Sequence, residues 1–140
     1  MEKYKFLPHT ADMKFKAFGR TLEEAFSNAA LALADTLVDV KKVKATKQKK
    51  IVIEAEDKKA LLYDFLEKFL YLMDSTHFVI GKVNSLKIKE GKKLKLTAIV
   101  SGNTWLEKHG FKRHVKAVTY NDMIIDEKKG KVTIQVVLDL

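Results

Sequence analysis

Two kinds of hydrophobic pattern follow each other along the chain and predict its helices and strands. Apolar residues spaced three and four positions apart indicate amphipathic helices over residues 22–38 and 58–75. Alternating apolar and polar residues, and short apolar runs, are typical of β-strands. These patterns predict strands over residues 3–7, 13–18, 51–56, 83–89, 92–101, 115–122 and 131–140. Residues 123–126 either extend the sixth strand or form the hairpin arm that faces the last strand.

Local signals mark where both helices begin. Thr21 and Glu24 have the spacing of a capping box, in which a hydroxyl and a carboxylate accept backbone amides of the first turn. Asp57 has the position of an N-cap residue for the second helix. A lysine-rich segment, residues 41–50, is predicted to connect the first helix to the next strand.

The order of the elements, β-β-α-β-α-β-β-β-β, predicts an α+β fold. The strict alternation of strand and helix that marks parallel doubly wound proteins is missing. We therefore expect a mixed β-sheet sandwich with two amphipathic helices packed on one face of the sheet. The chain has the length of one ordinary domain and shows no internal repeat, so residues 1–140 are predicted to form a single domain.

Composition narrows the class of protein. The chain has no cysteine, which excludes disulfides, thiolate nucleophiles and zinc-thiolate sites and fits a cytoplasmic location. No segment reaches the roughly 18 apolar residues that a membrane span needs, so no membrane partner is expected. The formal net charge is +9, and arginine occurs only at Arg20 and Arg113. Arginine is the preferred reader of phosphate and guanine, so its scarcity argues against sequence-specific nucleic-acid recognition. The lysine excess either raises non-specific affinity for polyanions or reflects a solvated surface of the heat-adapted type, and we favour the heat-adapted surface.

Two aspartates near the ends of the chain are candidates for a metal site. Asp12 follows His9 and Thr10 on a predicted loop, where binding groups concentrate. Asp139 lies on the polar face of the last strand, and Leu140 adds a backbone carbonyl and a terminal carboxylate. Such oxygen ligands suit Ca²⁺, Mg²⁺ or Mn²⁺ rather than zinc. On these residues alone, a turn aspartate bonded to its own backbone and a frayed terminus remain the simpler explanations.

Residues 113–120 form another candidate surface, because they mix cations with an aromatic residue. Lys116 and Tyr120 share one face of the predicted strand and are candidates to contact phosphate or a protein partner. The alternative is an ordinary half-exposed strand with a snorkelling lysine. The four histidines show no spacing that supplies an acid–base pair. No GxGxxG, Walker A or GxSxG pattern occurs, so nucleotide binding and serine catalysis are not supported.

Four sequence motifs, in their order along the chain, resemble those of the archease family. They are His9-Thr10-Ala11-Asp12, Gly19-Arg20-Thr21-Leu22-Glu23-Glu24-Ala25-Phe26, Val115-Lys116-Ala117-Val118-Thr119-Tyr120 and Val136-Val137-Leu138-Asp139-Leu140. The first and third motifs together are the most specific, and the similarity covers essentially the whole chain.

The resemblance implies a function that the hydrophobic patterns do not reveal. Archeases are small, non-catalytic protein cofactors of the RNA ligase that joins 3′-phosphate or 2′,3′-cyclic-phosphate ends to 5′-hydroxyl ends in tRNA splicing and RNA repair. They promote GTP-dependent guanylylation of the ligase and its multiple turnover. The ligase is then the direct partner, and tRNA is reached through the ligase.

By the same resemblance, the family's metal-binding acids correspond to Asp12 and Asp139, with Leu140 as an oxygen donor. A divalent cation is expected there, with Ca²⁺ as the first expectation in a structure and Mg²⁺ or Mn²⁺ as alternatives. The candidates for contact with the ligase are Lys116, Tyr120 and His9. Two rival functions are a free-standing metal-dependent phosphoesterase and a basic RNA-binding, chaperone-like module.

Overall fold

The computed structural model describes residues 2–7 and 12–140, which contain two α-helices and seven β-strands. The helices are α1 (Leu22–Leu37) and α2 (Lys58–Thr76). The strands are β1 (Tyr4–Leu7), β2 (Met13–Gly19), β3 (Lys47–Ala55), β4 (Phe78–Lys89), β5 (Leu94–Thr104), β6 (Ala117–Lys128) and β7 (Lys131–Asp139). Short 3-10 turns lie at Val40–Lys42 and Glu107–His109.

The strands form two antiparallel sheets, and the predicted α+β class is confirmed. One sheet has four strands in the order β1-β2-β7-β6, and the other has three in the order β3-β5-β4. Every pairing is antiparallel. The strands also divide into two sheets, whereas the sequence led us to expect one mixed sheet. Both helices contact strands of both sheets, and neither sheet holds the helices alone. The hydrophobic patterns identify strands but do not say which strands pair, which is why the division into two sheets was not predicted.

Helix α1 begins at the predicted capping residues and is buried on more than one side. The Thr21 hydroxyl accepts the Glu24 amide at 3.1 Å, while the Glu24 carboxylate accepts the amide of Arg20 at 3.2 Å. Polar Asn28 and Thr36 are buried beside the predicted apolar stripe, and each donates to a backbone carbonyl, at 2.6 and 2.9 Å. A helix that contacts two sheets needs a wider buried surface than one stripe, and small and hydrogen-bonded residues supply it.

Helix α2 begins at the predicted N-cap, where the Asp57 carboxylate accepts the Ala60 amide at 2.8 Å. Its predicted apolar stripe is largely buried and meets α1 where the rings of Phe65 and Phe26 stack with centroids 6.2 Å apart. The helix ends at His77, which takes a left-handed conformation with φ 58°. The predicted end therefore lies within one residue of the observed one.

Strands β3, β4 and β6 are each at least about three residues longer than their sequence patterns predict. β3 begins at Lys47, inside the segment expected to be a connector, and β4 begins at Phe78 instead of residue 83. Residues 78–80 are all buried, so this part of β4 shows no alternation by which a strand could be recognised. Residues 123–126 both continue β6 and belong to the hairpin arm that pairs with β7, so the two alternatives left open for them apply together.

Candidate functional site

The pairing of β2 with β7 brings the two candidate acids to one end of the four-stranded sheet. In this antiparallel pair Met13 lies opposite Leu138. Continuing the register by one residue sets Asp12, which precedes Met13, opposite Asp139, which follows Leu138. Asp12 is half-buried and Asp139 is exposed. Residues that are 127 positions apart in the sequence thus become cross-strand neighbours at the sheet end.

The main chain at Asp139 is fixed on both sides. β7 is an inner strand, and Asp139 lies opposite Ala117 of β6. The Lys116 amide donates to the Asp139 carbonyl oxygen at 2.8 Å, and Leu140 packs partly buried against the core. The strand is therefore hydrogen-bonded up to Asp139, and the frayed end considered from sequence alone is not found at that residue.

The donor atoms at this sheet end fit a hard cation. Within residues 2–7 and 12–140, the Asp139 carboxylate makes no hydrogen bond or ion pair, so its oxygens are available. The same residues contain no group of three or more His, Cys, Asp or Glu side chains arranged to hold a metal ion. A cation here would use the carboxylates of Asp12 and Asp139 together with the main-chain oxygen of Leu140, and carboxylate and carbonyl oxygens are the ligands of Ca²⁺, Mg²⁺ and Mn²⁺.

Lys116 supplies positive charge beside the two acids. Its side chain is exposed. The hydrogen bond from its backbone amide to the Asp139 carbonyl oxygen fixes its backbone next to that residue. Four predicted contact and metal residues lie on or directly beside β6 and β7, and the sheet end brings together three of them, Lys116, Asp139 and Leu140. His9 and Thr10 lie outside the described residues.

A bulge in β6 separates Tyr120 from this sheet end. The register between β6 and β7 shifts between Thr119 and Ile124. Asp122 adopts a left-handed backbone with φ 52°, and its carbonyl oxygen accepts the Gln135 side-chain amide at 2.9 Å. The Lys14 ammonium lies 3.7 Å from the Asp122 carboxylate. These bonds hold the extra residues of the bulge in one conformation.

Tyr120 projects from the bulge onto helix α2. Its ring stacks on Tyr63 with centroids 4.4 Å apart and planes 7° apart, yet the residue remains 53% exposed. Burial at the stack raises the pKa of both phenols; Glu67 raises that of Tyr63 further and Asp64 that of Tyr120. Both hydroxyls therefore stay protonated and neutral at physiological pH.

Glu67 is a positioning residue that the sequence patterns did not single out. Its carboxylate accepts the backbone amide of Val118 at 3.1 Å, across 51 positions of sequence. This bond ties the beginning of β6, directly after Lys116, to helix α2. A half-buried glutamate on a helix has no sequence signal for such a long-range hydrogen bond, because the partner is a backbone amide.

Tyr120 also lines an open groove of about 820 Å³ between the beginning of α2, the β4–β5 turn and β6. The Lys58 ammonium and the Glu127 carboxylate form an ion pair along it. Neither Asp12, Asp139 nor Lys116 lines this groove. The structure thus divides the predicted contact residues between two places, with Lys116 beside the acids and Tyr120 at the groove.

Helices of the described part of the chain are too short or too polar to cross a membrane.

Comparison with known proteins assigns the chain to a family. The model of the archease protein family (MTH1598/TM1083) matches residues 4–140. The protein archease of Thermococcus kodakarensis is 44% identical, with all of both chains covered. The protein archease of Methanosarcina mazei is 37% identical over 99% of this chain and 97% of its own length.

Solved structures agree with this assignment. The solution structure of Methanobacterium thermoautotrophicum protein 1598 has a TM-score of 0.86 and 36% identity, with all of both chains covered. A crystal structure from Thermotoga maritima, described as an archease and possible chaperone, has a TM-score of 0.58 at 20% identity over 97% of this chain and 96% of its own, which supports the fold alone. The family model, the curated relatives and the motifs quoted above agree along the whole chain, and the protein belongs to the archease family.

Proposed function

We propose that this protein is a non-catalytic activator of the RNA ligase that joins 3′-phosphate or 2′,3′-cyclic-phosphate ends to 5′-hydroxyl ends, and that it works in the cytoplasm. The observation that carries the proposal is the pair Met13–Leu138 at the end of the β2–β7 register, which brings the adjoining Asp12 and Asp139 to one sheet end, where the Lys116 amide donates to the Asp139 carbonyl oxygen. This arrangement supplies two carboxylates and one ammonium at an exposed sheet end. Membership of the archease family supports the choice of partner.

Asp12 and Asp139 would hold a divalent cation, with the main-chain oxygen of Leu140 as a further donor. When bound, such a cation supplies positive charge that stabilises phosphate oxygens during nucleotidyl transfer. The backbone of Asp139 is held by pairing with β6 and follows directly after the last residue paired with β2, so its side chain starts from a defined main-chain position. Rigid elements hold functional groups more accurately than loops do, which favours β7 as their support.

Lys116 would orient the partner. Its side chain is exposed on a main chain that is hydrogen-bonded to Asp139, and an ammonium there suits a carboxylate or phosphate on the ligase or its nucleotide. The acids themselves repel anions, so the lysine offsets part of that repulsion during docking. Tyr120, which projects from the bulge and lines the groove, would contact the ligase separately from the acids.

An activating role fits the surroundings of the acids better than catalysis by this protein alone. Neither the groove of about 820 Å³ nor the cavity of about 640 Å³ beside His114 is lined by Asp12 or Asp139. A hydrolase acting alone would bind its substrate in a concave site that includes its reactive groups. The exposed Asp139 carboxylate instead suits insertion into a site on another protein.

The experiment is multiple-turnover ligation of 3′-phosphate RNA by a cognate ligase with GTP and Mn²⁺. We expect Asp12→Asn and Asp139→Asn to lower the activation by at least about tenfold, since a contact to a charged group is worth ~1.5–3 kcal/mol. The matched control is Asp126→Asn, which removes the same charge from an exposed position at the other end of β6.

Full activation by both Asn variants would overturn the role of the acids. Loss of activation in the Asp126→Asn control as well would attribute the effect to net charge. Hydrolysis of RNA or phosphate esters by the isolated protein, lost in Asp139→Asn, would favour the rival metal-dependent phosphoesterase.

A further inference from the structure

Several lysines lie in cross-strand rows on the outer face of the three-stranded sheet. They are not part of the site proposed to act on the ligase. The inner face is apolar, because Ile51, Leu96, Ala98 and Val100 are buried against the helices. Alternate residues of the same strands therefore face solvent. The cross-strand rows on that outer face, in the order β3, β5, β4, are Glu54–Lys95–Lys89, Val52–Thr97–Lys87 and Lys50–Ile99–Ser85.

This outer face is strongly positive. The three rows hold four lysines and one acid, Glu54. A fifth lysine, Lys82, lies opposite Ser101 at the end of the rows. The lysines are Lys50, Lys82, Lys87, Lys89 and Lys95. None of them takes part in an ion pair with another described residue. All five are exposed, and Glu54, opposite Lys95, is the one carboxylate within the rows.

The arrangement costs stability. Lys89 lies directly opposite Lys95, and like charges at facing positions of an antiparallel pair repel each other. A surface adapted only to heat would gain from alternating signs, as in the ion pairs Lys58–Glu127 and Lys128–Asp126 elsewhere on this protein. The lysine rows lack that alternation, which favours a partner that carries the missing negative charge.

We infer that this outer face, hereafter the lysine face, binds the phosphate backbone of RNA without reading its sequence. Lysines that project from strands about 4.8 Å apart, and at every second residue along each strand, form a two-dimensional array of point charges. The face contains neither arginine nor an aromatic side chain, so it lacks the groups that read guanine edges or stack on bases. Backbone contact by lysine therefore describes its chemistry best.

An RNA backbone fits the lysine face better than an acidic protein segment does. Phosphates carry regularly spaced charges over a long distance, whereas an acidic peptide that binds a sheet face also presents apolar side chains to it. Only Val52 and Ile99 offer apolar surface within the rows. The inference goes beyond the proposed function, since it concerns direct contact with RNA on a surface built from other strands than those that carry Asp12, Asp139 and Lys116.

The test measures binding of a fluorescein-labelled RNA hairpin to the isolated protein by anisotropy, from 50 to about 300 mM NaCl. The variant is Lys50→Glu/Lys87→Glu/Lys95→Glu. We expect the Kd at 100 mM NaCl to rise at least about tenfold and the slope of log Kd against log salt to fall by about two to three, because each lost phosphate contact removes roughly one unit.

The matched control is Lys3→Glu/Lys129→Glu/Lys131→Glu, which changes exposed lysines on the four-stranded sheet and its β6–β7 turn. Each triple variant replaces three positive by three negative charges, so the net charge falls from +9 by 6 to +3 in both. We expect the control to weaken binding less than about threefold. The neutral variant Lys50→Gln/Lys87→Gln/Lys95→Gln, with a smaller loss, tests the same contacts if the charge reversal unfolds the sheet, as judged by circular dichroism.

Equal losses in the lysine-face variant and in the control would overturn the inference, because net charge alone would then explain binding. A hairpin that does not bind the unmodified protein at 50 mM NaCl would also overturn it. Tighter binding of poly-glutamate than of RNA, with the same dependence on Lys50, Lys87 and Lys95, would assign the lysine face to an acidic protein instead.

Discussion

Asp35 and Asp139 are the same type of residue in two regions of opposite character. Asp35 lies in the last turns of α1 with its side chain only 19% exposed. Its carboxylate accepts the Tyr4 hydroxyl at 3.1 Å, the Val40 amide at 3.2 Å and the Lys112 ammonium at 3.3 Å. It therefore joins β1, α1, the following turn and the segment before β6. The Asp139 carboxylate is exposed and bonds to none of the described residues.

A structural carboxylate can be told from a candidate binding carboxylate by whether the fold already uses its oxygens. The oxygens of Asp35 are used by the fold, so the residue contributes to stability and has little capacity left for a ligand. At Asp139 the backbone is fixed while the carboxylate is available. A fixed backbone with an unused side chain is the arrangement expected of a binding group.

The largest effect on stability is expected at Asp35. Replacing Asp35 by alanine removes three hydrogen bonds. One comes from the charged Lys112 ammonium, one from the half-buried Tyr4 hydroxyl and one from the Val40 amide. We expect the free energy of unfolding in urea to fall by about 2–4 kcal/mol, while ligase activation per folded molecule is kept. A loss of less than about 0.5 kcal/mol would contradict the structural role. The control is Asp126→Ala at an exposed position.

Divalent cations are expected to stabilise the protein through Asp12 and Asp139, whereas Asp35 stabilises it without a cation. A cation that binds only the folded protein stabilises it by about 2.7 kcal/mol at 100 times its Kd. We expect Ca²⁺ or Mn²⁺ to raise the Tm of the unmodified protein and of Asp126→Asn, and EDTA to reverse the rise. Asp12→Asn and Asp139→Asn should show no rise. Equal rises in all four proteins would place the cation elsewhere on the molecule.

A smaller effect is expected at the Tyr63–Tyr120 stack. Replacing Tyr120 by alanine should lower the free energy of unfolding by about 1 kcal/mol, since stacked aromatic pairs contribute ~0.5–1.5 kcal/mol. Tyr120→Phe should keep the stability because the ring remains. A double-mutant cycle with Tyr63→Ala measures the coupling, and a coupling near zero would show that the stack adds nothing to stability.

The smallest effect is a pH dependence at Tyr4. Burial, and then the Asp35 carboxylate, raise the pKa of Tyr4 to about 12. The stabilisation is complete below pH 10 and is lost as pH rises from 10 to about 12, because the unfolded chain releases the proton first. Tyr4 is partly exposed, so we expect less than about 1 kcal/mol. The difference in unfolding free energy between unmodified protein and Tyr4→Phe should shrink from pH 9 to pH 11; a constant difference would contradict this.

Much of the fold could be predicted from hydrophobic spacing and helix caps. Both helices begin at the residues that the capping signals of Thr21 and Asp57 indicate. The beginning of β4 could not be predicted, because residues 78–80 are all buried and therefore show no alternation of apolar and polar positions. The division into two sheets also escaped prediction, since strand pairing depends on contacts between distant segments that local patterns do not encode.

The candidate site was harder to predict than the fold. Asp12 and Asp139 stood out as residues, but only the register between β2 and β7 makes them neighbours. Lys116 and Tyr120 were predicted to share one surface, and the bulge after Thr119 separates them. A bulge adds residues to one strand without a strong sequence signal, so an alternation count cannot foresee which side chains it redirects.

The bond between Glu67 and Val118 also bears on aggregation. β6 is an edge strand, and edge strands offer unpaired amides to any other chain that can extend the sheet. At Val118 that amide is already held by a carboxylate of the same molecule, with a negative charge that repels acidic strands. The side chains of Lys116 and Tyr120 on either side of Val118 stay exposed, while the amide between them is unavailable to an added strand. The fold thereby protects this edge of β6 without covering the neighbouring side chains.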